Sequence, residues 1–119
     1  MTRPASDLDG FRLWPGLLDR AAQEALRDEV FARMRQAPLF IPRMPKSGVP
    51  MRVRMTNFGA LGWVTDKEQG YRYQAGHPEN GKPWPDMPDS VLALWRKYSG
   101  YPADPEACLV NYYEGDARM

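Results

Sequence analysis

Proline placement limits this chain more than any other sequence feature. Twelve prolines are present, and most fall in two clusters: Pro38, Pro42, Pro45 and Pro50, then Pro78, Pro83, Pro85 and Pro88. Each lacks an amide donor and fixes its own φ, so neither cluster can form a helix or the centre of a sheet. Regular structure is confined to the segments before, between and after them. In the first segment, Phe11 to Trp14 alternates apolar and polar residues before the Pro15-Gly16 turn, as a short strand would. Asp19 is a suitable N-cap for a helix running to about Gln36, with Ala22, Leu26, Val30 and Met34 on one stripe.

Between the clusters, residues 51–58 alternate, with Met51, Val53 and Met55 on one face and Arg52 and Arg54 on the other. Gly59 to Tyr73 then has the composition of a hairpin with its tip at Lys67 to Gly70. Gly76 to Pro88 reads as a loop around Trp84. Beyond the second cluster, Asp89 or Ser90 can cap a helix with Val91, Leu94, Trp95 and Tyr98 at i, i+3, i+4 and i+7, stopped by Gly100. A strand from Cys108 to Tyr113 closes the pattern, with Leu109, Asn111 and Tyr113 sharing one face. The expected class is α+β, in a single partial domain over 1–119. Its parts are 1–50 (strand, helix and proline-rich loop), 51–88 (hairpin region) and 89–119 (second helix and last strand).

Several functions are excluded at this stage. No apolar run approaches the roughly 18 to 20 residues of a membrane span, and MTRPASDLDG lacks a signal-peptide core, so a cytoplasmic protein is expected. Cys108 is the only cysteine, which rules out an internal disulfide and any cysteine-rich zinc site; in an apolar strand it is expected to pack in the core. His77 is the only histidine, and a facial triad for nonheme iron needs two. Flanked by Gly76 and Pro78, it is expected to be an exposed loop residue. Glycine-rich phosphate loops and nucleophile elbows are both missing.

Two features point towards nucleic acid. Between Glu29 and Asp66 there is no acidic residue, while Arg33, Arg35, Arg43, Lys46, Arg52 and Arg54 all lie there. Such a segment can follow a phosphate backbone, although scattered cations also make an ordinary solvated face. Trp63, Tyr71 and Tyr73 lie close in sequence to Arg52 and Arg54, and aromatic rings beside guanidinium groups suit stacked bases. The same rings could equally fill the core of a hairpin, and composition leaves both possibilities open.

Four runs, in order, carry a resemblance. They are Met55-Thr56-Asn57-Phe58-Gly59-Ala60-Leu61-Gly62-Trp63, Gln69-Gly70-Tyr71-Arg72-Tyr73, Lys82-Pro83-Trp84-Pro85-Asp86-Met87-Pro88 and Ala107-Cys108-Leu109-Val110-Asn111-Tyr112-Tyr113. Together they resemble the bacterial AlkB family of Fe(II)/2-oxoglutarate-dependent dioxygenases, which act on alkylated nucleic-acid bases. The resemblance implies a nucleotide-recognition lid in which Trp63, Tyr71, Arg72 and Tyr73 meet a flipped base and its backbone, with Arg52 and Arg54 beside them. It implies that Asn111 and Tyr113 bind 2-oxoglutarate, on the first strand of a double-stranded β-helix (jelly roll) whose remainder is absent.

In the family, a His-x-Asp iron motif follows that strand, and no such motif occurs here. Asp116 has no histidine two residues before it and is not taken as a ligand. The implied cofactors are therefore Fe(II) and 2-oxoglutarate in the intact family enzyme, with iron not bindable by this chain alone and no metal or catalytic residue assigned within it. The implied activity is oxidative demethylation of N-alkylated bases in single- or double-stranded DNA or RNA, with release of formaldehyde. The complete enzyme would be a monomer, and this chain, truncated before the iron motif, is expected to be inactive. The alternative is a non-enzymatic single-stranded nucleic-acid binding module or an inactive remnant.

Overall fold

The computed structural model describes residues 6–8 and 10–117. In chain order the elements are β1 (Ser6–Leu8), β2 (Phe11–Leu13), α1 (Arg20–Arg33), β3 (Arg54–Phe58), β4 (Gly62–Val64), β5 (Arg72–Gln74), α2 (Asp89–Tyr98) and β6 (Cys108–Tyr112). The strands form three antiparallel pairs, β1–β2, β3–β6 and β4–β5, and the class is α+β as expected. Among the described residues no helix is long and apolar enough to cross a membrane.

Helix α1 begins where its cap predicts. The Asp19 carboxylate accepts the Ala22 amide at 2.8 Å, satisfying one of the donors left open at a helix start. The helix stops at Arg33, short of Gln36, and residues 34–36 continue as turns ahead of Pro38. Helix α2 corrects the expected cap. Its N-cap is Pro88, which has no side chain to offer, and Asp89 instead occupies the first turn, where a carboxylate favours the helix dipole. Ser99 caps the other end, and Gly100 follows at φ 71°, the left-handed conformation that glycine adopts without penalty.

β3 is the strand on which the packing is built. On one edge it pairs with β6, matching Arg54 with Tyr112, Met55 with Asn111, Asn57 with Leu109 and Phe58 with Cys108. On the other edge, the Phe40 amide donates to the Met55 carbonyl at 2.8 Å and the Met55 amide donates back at 2.9 Å. Thr56 is buried and its hydroxyl donates to the Ala37 carbonyl at 2.8 Å. The regular strand starts at Arg54 and not Met51, because the Met51 amide donates to the Pro42 carbonyl across the proline loop. The strand expected at Phe11 ends at Leu13, and its partner β1 lies in a segment for which no strand was expected.

The core is formed by Ala37, Phe40, Val53, Met55, Val64 and Trp84. Both proline clusters contribute to it and are held by side chains. The Trp84 indole N–H donates to the Gln74 carbonyl at 2.8 Å, and its ring lies directly over Gly62. His77 is not the exposed loop residue expected: only 2% of it is accessible. Its Nδ1 accepts the Glu79 amide at 3.0 Å, so Nε2 carries the proton and donates to the Pro38 carbonyl at 2.7 Å. The ring packs edge-on against Phe40 and tilted against Trp84.

Two substitutions test this packing. A Cβ at position 62 would overlap the Trp84 ring, so Gly62→Ala should lower stability by about 1–3 kcal/mol in chemical denaturation. His77→Ala leaves the Pro38 carbonyl and the Glu79 amide without their partner and opens a space beside Phe40. It should cost about 2–4 kcal/mol by the same measurement.

Candidate functional site

The register of β3 on β6 sorts the candidate residues onto two faces. Residues paired across an antiparallel ladder share a face, so Met55, Asn57, Leu109 and Asn111 lie on one side. Arg54, Thr56, Phe58, Cys108, Val110 and Tyr112 lie on the other. Arg54 therefore stands across the sheet from Asn111, where it ion-pairs with Glu114 and lies over the Tyr112 ring, 5.0 Å from its centroid. Arg52 lies ahead of the strand and is exposed. The structure does not bring either arginine to the aromatic cluster through this sheet.

It does bring the aromatics together. The β4–β5 pair sets Trp63 directly opposite Tyr73. Tyr71 stacks on the Trp63 indole with ring centroids 5.6 Å apart and planes 27° from parallel. Trp63 and Tyr73, with Asn57, Leu109 and Ala107, line an apolar pocket of about 290 Å³. Tyr71 and Tyr73 are 58% and 61% exposed, so these rings are not hairpin core; they form a wall open to solvent. Sequence reasoning missed Asn57, Ala107 and Leu109 as lining residues. The available signal was the alternation of β3, which puts Asn57 on the face of the buried Met55, a polar amide in an apolar setting.

Arg72 is held by its own hairpin. Its Nε donates to Gln74 Oε1 at 2.8 Å, its Nη1 to the Gly70 carbonyl at 3.0 Å and its Nη2 to Asp66 Oδ2 at 2.9 Å. All three nitrogens thus bind the hairpin itself, and the guanidinium braces the tip. Asp66 also accepts the Gln69 amide at 2.8 Å.

On β6, the Asn111 amide nitrogen lies 3.5 Å from the Tyr113 hydroxyl, so the alternation that placed both residues on one face holds. Asn111 Oδ1 is buried and has no hydrogen-bond partner. A half-turn of the amide leaves its shape unchanged. It would direct Nδ2 into the unpartnered position and leave the Tyr113 hydroxyl, 3.5 Å away, free to point its own proton the same way. A buried donor beside a phenol suits a carboxylate, so these two residues fit 2-oxoglutarate at one end. Iron does not fit: among the described residues no group of three or more His, Cys, Asp or Glu side chains could hold a metal ion, and both nitrogens of His77 are engaged. Cys108 is half-buried on the opposite face, and desolvation pushes its thiol above the ordinary range, the reverse of what a reactive thiolate needs.

The hydrogen bond from Arg72, helped by the Gln69 amide, holds the Asp66 carboxyl below its ordinary value of 3.8. A carboxylate depressed on folding contributes stability that is complete above the unfolded value and lost as pH falls through the folded one. Amide protection in the Asp66–Gly70 turn should therefore be constant above 3.8 and decline at lower pH in hydrogen-exchange measurements.

Sequence comparisons show the family. The model of the 2OG-Fe(II) oxygenase superfamily matches residues 10–119. An alpha-ketoglutarate-dependent dioxygenase AlkB homolog of Caulobacter vibrioides is 47% identical over 119 residues, covering 100% of this chain and 53% of that protein. The alpha-ketoglutarate-dependent dioxygenase AlkB of Salmonella typhimurium is 41% identical over 104 residues, or 84% of this chain and 47% of that protein. For AlkB of Escherichia coli the identity is 40% over 103 residues, or 83% and 46%. The chain thus spans about half the length of the curated relatives it matches. With the superfamily model matching nearly all of its length, and AlkB-type relatives 40–47% identical to it, the chain belongs to the 2OG-Fe(II) oxygenase superfamily and is AlkB-like within it.

Proposed function

We propose that this chain forms the nucleotide-recognition part of an AlkB-type dioxygenase that removes N-alkyl groups from bases in DNA or RNA. The observation that carries the reading is that the aromatic pocket and the Asn111–Tyr113 pair lie on the same face of the β3–β6 sheet. A base taken out of its stack would lie against Trp63 and Tyr73, over the apolar floor of Leu109 and Ala107. Asn111 and Tyr113 would hold one carboxylate of 2-oxoglutarate, the cosubstrate oxidised as the alkyl group leaves, as formaldehyde when that group is methyl. The β3–β6 pair would be the opening of the double-stranded β-helix.

The chain's own contribution is binding and orientation. Stacking excludes water from the base and fixes its plane, and the amide and phenol fix the cosubstrate on the neighbouring strand. With one histidine, already engaged, the chain does not supply an iron site; the iron ligands of a working enzyme come from outside the described residues. By itself this chain is proposed to bind without turnover.

Fluorescence anisotropy with a labelled single-stranded oligonucleotide carrying one N-methylated adenine tests the pocket. Trp63→Ala and Tyr73→Ala should each weaken binding by roughly 5- to 150-fold, the effect of losing one stacking ring. Arg54→Ala, across the sheet, should leave it unchanged. Equal binding by the Trp63 variant and the parent would sink the proposal. Asn111→Ala should abolish protection of this chain by 2-oxoglutarate in thermal-shift measurements. Formaldehyde release by this chain with Fe(II) and 2-oxoglutarate would overturn the claim that its iron ligands lie elsewhere.

A further inference from the structure

Asn57 is wholly buried in the middle of β3, yet its side chain makes no bond to its own strand pair. Its Nδ2 donates to the Trp63 carbonyl at 3.0 Å, and its Oδ1 accepts the Trp63 amide at 3.0 Å. A primary amide presents a donor and an acceptor side by side, as a peptide group of a neighbouring strand does. No backbone ladder joins β3 to β4, and this one side chain takes its place.

The consequence for the pocket is geometric. Within a strand, the N–H and C=O of one residue point to the same edge. Those of Trp63 face Asn57 and so do not face β5. Trp63 and Tyr73 are then a non-hydrogen-bonded pair, the kind whose side chains lie closest together. Asn57 also lines the pocket floor beside Leu109, its partner across the ladder.

We propose that Asn57 is the positioning residue of the aromatic pocket, setting the Trp63 ring by bracketing its backbone with both ends of one amide. This rests on Trp63 and Tyr73 being the base-binding wall, as proposed above. The hairpin is anchored independently of Asn57. The Arg43 amide donates to the Thr65 carbonyl at 3.1 Å, the Leu61 amide donates to the Glu106 carbonyl at 3.1 Å, and Trp84 holds Gln74 at 2.8 Å. An Asn57 variant should therefore misplace the ring while keeping the fold.

Two variants are compared with the parent chain in the anisotropy assay with the N-methylated adenine oligonucleotide. Asn57→Leu, close in shape, removes both bonds and should weaken binding about tenfold. Asn57→Asp keeps the acceptor but sets a carboxylate against the Trp63 carbonyl, so it should bind as weakly near neutral pH. As its carboxyl takes up a proton it regains a donor beside an acceptor, so its affinity should recover towards the parent's on acidification.

In a Trp63→Ala background, Asn57→Leu should cost nothing further, since the ring it positions is gone. Parent-like binding by Asn57→Leu, an undiminished effect of it in the Trp63→Ala background, or no recovery of Asn57→Asp in acid would each overturn the positioning role. If Trp63→Ala alone leaves binding unchanged, it is the base-site reading that fails. The two failures are thus distinguishable.

Discussion

The structure depends on β3 being paired along both edges. Its backbone meets β6 on one side and Phe40 on the other, so a five-residue strand fixes the position of the proline loop before it and of the last strand after it. Because the side-chain period of a strand is two, that register also decides which residues share a face. A slip of one residue between the strands would send Leu109 and Asn111 to the face opposite Asn57 and empty the pocket of its floor. Packing, pocket and the face of Asn111 thus share one alignment.

The two proline clusters show how irregular chain can be as fixed as a sheet. Their backbones have few amides to pair, so side chains supply the order. Trp84 caps Gln74 and presses on Gly62, while His77 holds the Glu79 amide and reaches Pro38 across 39 residues of sequence. The helices stand in contrast. Neither α1 nor α2 has a buried residue, and an apolar groove of about 520 Å³ runs between them, lined by Leu17, Leu26, Ala93 and Leu94 among others. Their capping and amphipathic patterns form them, but they add little to this core.

What could be read from the sequence followed from local rules. The Asp19 cap, the hairpin with its tip near Lys67 to Gly70, and the shared face of Asn111 and Tyr113 all rest on neighbours a few residues apart, and all hold. What could not be read depended on distant partners. His77 has Gly and Pro beside it and looks solvated, until Pro38 and Phe40 arrive from the other cluster. Arg72 looks free to meet a phosphate because nothing in its own segment shows that Asp66, Gly70 and Gln74 will converge on it. Arg54 was grouped with the aromatics by nearness in sequence, while the β3–β6 register, which no single strand reveals, puts it behind them. Asn57 has no neighbour in its own strand that shows its bonds, because they go to a backbone six residues on.

The stack of Tyr71 on Trp63 bears on how a ligand would be counted. An indole has two faces, and Tyr71 covers one of them. A bare aromatic shelf lets successive rings pile up along a strand, and proteins that follow single strands rely on several such shelves. Here the tyrosine ends the pile on one side, and Trp63, itself packed against the core, lines a pocket of about 290 Å³ with Leu109 and Ala107. A pocket of that volume has room for one flat ring at a time. A longer ligand would have to be held on either side of that ring by other means.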